Sequence, residues 1–577
     1  VSGLIVANGS SGKFWFFSAD MNQAKFSFRF VALPDHAERM TPAFKKYLPD
    51  HRQIYFGLLL VMAASLPLSK ALMSIVPGFL MVNWLIEGMF TQKIQRLQQR
   101  MSLWLLLSLF LIYPLGLLWT NSLKWGIQEV RIQLPMLVLP LVIGTSEALT
   151  AKQLKQVIYV FAAAVVFSSF CSLWVWLGFP GKVIHDPREI SLFIWHIRFA
   201  LLINITIFSL GWFLLNPETK PTWEKIALSV AIIWLTVFLV ILRSATGWVV
   251  FLLVSGVVII RGVFYLKNPV LRISLLLVLF FLTVVPLVYI GHVVHQFYKV
   301  EKIPETILQE RTRLGNRYEC DLNNKQLENG HYIFLYINWD ELRSAWEKRS
   351  KFNIDSVYSS GFNKNVLIRY LTSKGLRKDA EGVENLSGAD VRNIENGMTN
   401  YRFDNSFSFY NRIYQIIWEL DVYRKGGDPS GHSMTQRFEY YKIALQVIGE
   451  NLWFGHGTGG YYRAYEQKFN GSKFFAGQKF RQRSHNMFLS YWIDFGLIGM
   501  LYICFALVAP VFLEHRARNF LLMIVLLVVF ISFLNEDTLN NHDAISFFAF
   551  FYPLYLFSPC EPARKTKEPG QRKNRDV

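Results

Sequence analysis

The sequence predicts an all-α polytopic membrane protein of about twelve transmembrane helices, with a large, mainly helical loop domain on the extracytoplasmic side. Three observations predict it. Hydrophobic residues make up 52% of the chain, more than the core of a soluble domain uses. The apolar residues fall in blocks of roughly 18 to 25, the length of a hydrocarbon-spanning helix. Finally, about 190 mostly polar residues, 292–485, interrupt those blocks, too many for a plain connection.

In chain order the predicted spans are 53–68, 70–89, 101–119, 129–148, 154–177, 190–214, 225–242, 245–261, 271–291, 486–513, 518–534 and 543–558. The first two read as a hairpin bent at Pro67 and Pro77. Basic residues in short connections set the orientation. Lys93, Arg96 and Arg100, then Lys152 and Lys155, Lys220 and Lys225, Arg261, Lys267 and Arg272, and Arg516 and Arg518 fall in alternate connections. The tail after Pro562 is basic too. Both termini are therefore expected in the cytoplasm and 292–485 outside it. The expected organisation is a cytoplasmic extension, 1–52; nine spans, 53–291; the outer domain, 292–485; three spans, 486–558; and a basic cytoplasmic tail, 559–577.

The net charge of +19 fits retention charges and contact with anionic lipid headgroups, and nucleic-acid binding is not expected. Four cysteines form no disulfide framework and no metal-ligand spacing, so no metal or cofactor is expected. The opening 1–50 carry neither a span nor a signal-peptide pattern. They read as a cytoplasmic extension or a mis-assigned start.

Within the outer domain, 339–351 and 411–424 are helix-like stretches separated by Gly/Asn/Ser-rich turns. In 434–449, Phe438, Tyr441, Leu445 and Ile448 are spaced for one face of a helix. The domain's Tyr, Trp, Phe and Asn content suits sugar faces and hydroxyls, as well as an ordinary surface. Next comes Phe454-Gly455-His456-Gly457-Thr458-Gly459-Gly460. Glycines this dense permit positive φ, and their amides could cradle phosphate or form a tight turn between helices. A Walker loop is excluded, because no Gly-Lys-Ser/Thr follows.

Charges at membrane depth need a reason. Arg198 lies inside 192–214, about two turns from its outer end, and Arg243 occupies the short outer turn between two spans. Guanidinium groups bind phosphate bidentately and stay charged, so both are candidate anion ligands; snorkelling to headgroups is the alternative. His485 stands where the outer domain re-enters the membrane. An imidazole, the side chain whose unperturbed titration falls nearest neutrality, suits a general base, and helix capping is the competing role. Asn486 could orient that ring or cap the helix. Glu536 and Asp537, in the last outer turn, could orient a base or an arginine, or cap the next segment.

Together these residues resemble the O-antigen ligase and polymerase superfamily of bacterial envelope glycosyltransferases. The pattern is an arginine (Arg437), a Gly-x-Gly-x-Gly element (Gly455, Gly457, Gly459), a His-Asn pair (His485-Asn486) opening a span, and a Gly-hydrophobic-hydrophobic-Gly (Gly496-Leu497-Ile498-Gly499) within that span. Glu536-Asp537-Thr538-Leu539, followed by Phe547-Phe548-Ala549-Phe550-Phe551, is similar as well. The motif-dense match covers roughly 430–555 and the topology extends it to about 53–558. Arg483 stands where some members carry the first histidine of His-Ser-His-Asn, so a two-histidine mechanism is not implied.

The resemblance implies His485 as the catalytic histidine and Arg198 and Arg243 as ligands of a donor pyrophosphate. Arg437, Gly455, Gly457, Gly459 and Asn486 follow as substrate-contacting positions, with Glu536 and Asp537 as orienting carboxylates. It also implies metal-independent, inverting transfer of a glycan from undecaprenyl pyrophosphate to lipid A-core or another glycan acceptor, in lipopolysaccharide biosynthesis. The setting would be a bacterial inner membrane, with the site facing the periplasm. Polymerisation of lipid-linked repeats and protein O-glycosylation are the alternatives within the family, and transport of lipid-linked glycans is the alternative outside it.

Overall fold

Inside hydrocarbon, a backbone must satisfy its own polar groups, and a helix does this within one segment. The computed structural model describes residues 4–7, 14–20, 25–31, 50–179, 187–216, 221–303, 307–404, 409–429, 433–471 and 483–559, and each of the twelve predicted spans is helical within it. Lys220, Cys560 and the basic tail lie outside the described residues. Among the described residues, eight helices are long and apolar enough to cross a membrane, or nine if one bent pair counts as a span. The remaining predicted spans are shorter or more polar. His51–Leu68 opens on His51, Arg52 and Gln53, while Phe520–Phe533 and His542–Phe557 run only 14 and 16 residues. Ahead of the helices, Leu4–Ala7, Phe14–Asp20 and Lys25–Val31 form a three-stranded antiparallel sheet.

The chain forms two compact units. The first comprises 1–254, 451–463 and 486–577; the second comprises 255–450 and 464–485. The glycine-rich segment, expected within the outer domain, thus packs with the helices of the first unit. Residues 255–291, expected with the spans, group with the second.

At the heart of the first unit, His542–Phe557 is buried on nearly every face, as an all-round apolar helix must be. Phe551 meets Phe161 edge-on at 4.8 Å, and the Tyr552 hydroxyl donates to the Leu507 carbonyl at 2.6 Å. The basic connection 91–100 is itself a helix, Phe90–Gln99, set at 91° to Met101–Gly116. Its cations satisfy helix C-termini. Arg96 donates to the Thr145 carbonyl and Arg100 to the Gly144 carbonyl, at 2.8 and 2.7 Å. Lys93 donates to the Trp84 carbonyl at 2.6 Å and pairs with Glu87 at 2.7 Å. Positive charge at the last carbonyls complements the helix dipole.

The Met487–Leu513 helix breaks at Gly496, whose φ of 69° and ψ of −177° are essentially open to glycine alone. The break frees backbone groups that would be costly to leave unpaired. Residues 452–457 take them up. His456 N and Gly457 N donate to the carbonyls of Ile493 and Asp494, both at 2.8 Å; Leu497 N and Ile498 N donate to those of Leu452 and Trp453, at 2.9 and 3.4 Å.

In the second unit, one core gathers Trp346, Phe362, Leu367, Tyr370, Val383 and Ile394, and another packs Val293 and Phe297 of the Pro269–Phe297 helix against Tyr414, Ile417 and Trp418. Arg369 links them. It pairs with the fully buried Glu328 at 2.8 Å and lies 3.8 Å over the Trp418 ring, while Asn400 also donates to Glu328 at 2.6 Å. The stretches predicted at 339–351, 411–424 and 434–449 are the helices Trp339–Arg349, Phe409–Arg424 and Ser433–Glu450. Asn338 caps the first through the Glu341 amide at 3.1 Å.

Two outcomes test these constraints. An alanine Cβ at Gly496 would sit 2.1 Å from the Trp453 carbonyl oxygen, whereas one at Gly211, inside the His196–Leu215 helix, meets nothing within 4 Å. Gly496→Ala is expected to destabilise the detergent-purified protein by about 1–3 kcal/mol or more, and Gly211→Ala not at all, as read by thermal unfolding. Arg369→Ala strands the Glu328 carboxylate and is expected to cost about 3–5 kcal/mol. Arg313→Ala removes only an exposed pair with Glu384 and is expected to cost under about 1 kcal/mol. Denaturant midpoints followed by hydrogen exchange of the 307–404 segment compare the two.

Candidate functional site

Several candidate residues gather at one end of the first unit. Arg198 is the third residue of the His196–Leu215 helix. This corrects the expected depth of two turns: a 3-10 turn at Pro187–Ile190 and the extended backbone of Trp195 delay the helix start to His196. A cation in the first turn works against the helix dipole, so helix stability does not explain it. Among the described residues, the Arg198 side chain has no hydrogen-bond or ion-pair partner.

Arg243 ends the Thr222–Ile241 helix in the left-handed conformation, φ 49°, where glycine or asparagine is usual. Its side chain is exposed. The next residue, Ser244, caps the following helix through the Gly247 amide at 3.2 Å. Gly247 abuts Ala200, where its missing Cβ leaves room, and Asn204 donates to the Gly247 carbonyl at 3.1 Å. The turn bearing Arg243 is thereby held beside the helix bearing Arg198.

The connection 534–541 is tied to the same end. Asn535 donates to Thr246 Oγ1 at 2.7 Å, and the Asn486 side-chain amide donates to the Leu534 carbonyl at 3.3 Å. Glu536 and Asp537 are both buried. Asp537 makes no side-chain cap to the Thr538–Asn540 turn; it accepts from Ser490 Oγ at 2.5 Å instead. The capping role anticipated for these carboxylates is not the one Asp537 plays. Asn486 is the N-cap of Met487–Leu513, accepting from the Leu489 amide at 3.1 Å.

The glycine element does not present a row of open amides. Gly455 N donates to Asn451, His456 N to Ile493, Gly457 N to Asp494, Thr458 N to Gly116 and Gly460 N to Gly457, at 2.8–3.1 Å. Gly455, Gly457 and Gly459 have φ of 67–77°. A Cβ on them would press, respectively, into the break at Gly496, the carbonyl of Gly116 and the amide of Gly126. Their use here is close backbone packing rather than an open phosphate cradle.

In the second unit, His485 is half-buried with φ 52°. A non-glycine residue in this conformation is uncommon, and such strain concentrates at functional positions. With the cap made by Asn486, His485 is not the cap residue. Its ring lies 6.1 Å from that of Tyr440, tilted by 43°. Tyr440 is one helical turn beyond Arg437 in Ser433–Glu450, so the two share a face. Burial raises the Tyr440 phenol's pKa, which keeps it a neutral hydroxyl. Sequence reading passed over Tyr440, Ser490 and Asn535; the i, i+3 spacing of Arg437 and Tyr440 was the one signal available for the first. Among the described residues, no group of three or more His, Cys, Asp or Glu side chains could hold a metal ion.

The described spans define a multi-pass, all-α membrane protein, and the hydrogen bonds above bring the candidate residues Arg198, Arg243, Asn486, Glu536 and Asp537 to one end of its helices. Residues 396–504 match the family described as O-Antigen ligase, which supports the place in that superfamily read from the motifs. The matched stretch contains Arg437, the glycine element, His485-Asn486 and the Gly496 break; Arg198, Arg243, Glu536 and Asp537 lie outside it. No curated protein matches the chain.

Asn486→Ala removes the cap on the helix that follows His485. It is expected to lower stability by about 1 kcal/mol, measured by thermal unfolding, with Asn486→Asp intermediate, since it keeps the cap on the Leu489 amide and loses the donation to the Leu534 carbonyl.

Proposed function

We propose that the chain is an O-antigen ligase-like glycosyltransferase, moving a glycan from undecaprenyl pyrophosphate to a hydroxyl of lipid A-core at the periplasmic face of a bacterial inner membrane. The observation that carries this reading is the O-antigen ligase match over 396–504, which spans Arg437 and His485-Asn486. The Arg198 side chain, without a protein partner among the described residues, supports an anionic ligand at the helix start.

In this mechanism His485 takes the acceptor hydroxyl's proton as its oxygen forms a bond to the anomeric carbon. The bond from that carbon to the pyrophosphate oxygen breaks, and undecaprenyl pyrophosphate leaves. Arg198 and Arg243 stabilise the charge that develops on the departing group, the role of preorganised cations in such a site. Pyrophosphate is a good leaving group, so no strong general acid and no metal is required. One displacement inverts the anomeric centre. Arg437 adds positive charge in the second unit. Asn486 fixes the helix start after the histidine, and Asp537, through Ser490, holds the neighbouring connection.

The test is the envelope glycolipid profile of cells whose only copy is His485→Ala, with expression confirmed. The expected result is polymer absent from lipid A and accumulated on undecaprenyl pyrophosphate. Arg198→Ala and Arg243→Ala are expected to give the same profile, each cutting turnover by roughly 10²–10³-fold. Lipid A carrying a single repeat would make the enzyme a polymerase. A profile unchanged from wild type would overturn the catalytic assignment and favour transport.

A further inference from the structure

A cleft of about 490 Å³ opens in the first unit, lined by Trp119, Asn121, Asn451, Phe454, Gly455 and His456. That volume lies within the range of small-molecule sites, about 300–1,000 Å³. One wall is the turn after Met101–Gly116; the other is the start of the glycine element.

Both walls are pinned to each other. Thr458 N donates to the Gly116 carbonyl at 3.1 Å, and Thr458 Oγ1 donates to the Tyr113 carbonyl at 2.7 Å. Gly455 N donates to the Asn451 carbonyl at 3.0 Å and His456 N to that of Ile493 at 2.8 Å. A cleft framed by backbone hydrogen bonds keeps its shape, so a ligand binds without first ordering its walls.

The chemistry of the lining selects the ligand. Trp119 and Phe454 are 41% and 68% exposed, so their aromatic faces are available at the rim. Asn121 and Asn451 each offer a donor pair and an acceptor. His456 is buried, its Nδ1 3.4 Å from the Asn451 amide nitrogen. Among the described lining residues none is a lysine, arginine, aspartate or glutamate, so the described lining is not built to neutralise a pyrophosphate. A hydrocarbon tail would leave the Asn121 carboxamide, and the part of the Asn451 carboxamide not turned to His456, without partners, at a desolvation cost. A neutral polyhydroxyl ring, apolar on its C–H face and hydrogen-bonding at its edges, matches both kinds of wall.

We propose that this cleft is a saccharide subsite. It holds a sugar ring of the glycan, apart from the lipid-pyrophosphate end of the donor, and it rests on the glycosyltransferase reading above for its place in the reaction. The glycine element then has a second role, carrying Phe454 and His456 into the cleft wall beside Asn451 while it splints the broken helix.

The test is saturation-transfer difference NMR on the full-length protein, purified in a detergent without a sugar headgroup. Free D-glucose, D-galactose and N-acetyl-D-glucosamine are the probes. The expected result is saturable transfer to the ring protons of at least one sugar. In Trp119→Ala and in Asn121→Ala the apparent affinity should fall by roughly three- to tenfold, the factor corresponding to one lost aromatic or polar contact. Both positions are exposed, and unfolding temperatures equal to wild type verify that the variants fold. His485→Ala should keep wild-type binding. Transfer undiminished in both cleft variants, or no saturable transfer from any of the sugars, would overturn the subsite. Because binding needs no turnover, this failure is separable from that of the glycolipid test on His485→Ala, which bears on catalysis alone.

Discussion

Four main-chain hydrogen bonds across the break at Gly496 are the constraint on which the first unit depends. A helix interrupted among apolar neighbours leaves amides and carbonyls that water cannot reach, and each such group is expensive to leave unpaired. Segment 452–457 enters the gap and exchanges bonds with both halves of the helix. Glycines are needed on both sides of this contact. Gly496 takes a backbone conformation closed to other residues, and Gly455, Gly457 and Gly459 let the inserted chain lie against three helices at once. The two glycine motifs, about 40 residues apart, are therefore two halves of one joint.

That joint organises what surrounds it. The inserted segment forms one wall of the aromatic and amide cleft. The helix it splints begins at the Asn486 cap, directly after His485. Through Ser490, the same helix holds Asp537, and Asp537 belongs to the connection whose Asn535 donates to Thr246, in the first turn of the helix that follows Arg243. The candidate groups of the first unit thus sit on helix ends braced by short hydrogen bonds, which is how a site keeps its geometry.

Charge does double duty. Lys93, Arg96 and Arg100 are read first as orienting charges, yet each also caps carbonyls at a helix C-terminus. In the second unit Arg369 serves two cores at once, through Glu328 and the face of Trp418. Arg198 differs from these. It stands at the helix end where a cation is least favoured, and among the described residues it has no protein partner. This contrast sets Arg198 apart from the cations used to build the fold.

The sequence by itself determined the all-α membrane class, because apolar run length is set by the thickness of hydrocarbon and survives any packing. All twelve runs are helices, and the amphipathic spacing at 434–449 located Ser433–Glu450 to within a residue. Residue chemistry likewise nominated His485, Arg198 and Arg243 before any geometry was available. Only the tertiary structure decided where Arg198 stands in its helix, that Asp537 binds Ser490 rather than capping, that the glycine amides are engaged by carbonyls, and that Tyr440 lies beside His485. The reason is range. Hydropathy and periodicity are local quantities and leave a helix start such as His196 unfixed, whereas the Asp537–Ser490 bond, the glycine element's bonds to Ile493, Asp494 and Gly116, and the Tyr440–His485 ring contact join segments tens of residues apart, whose partners no local pattern specifies.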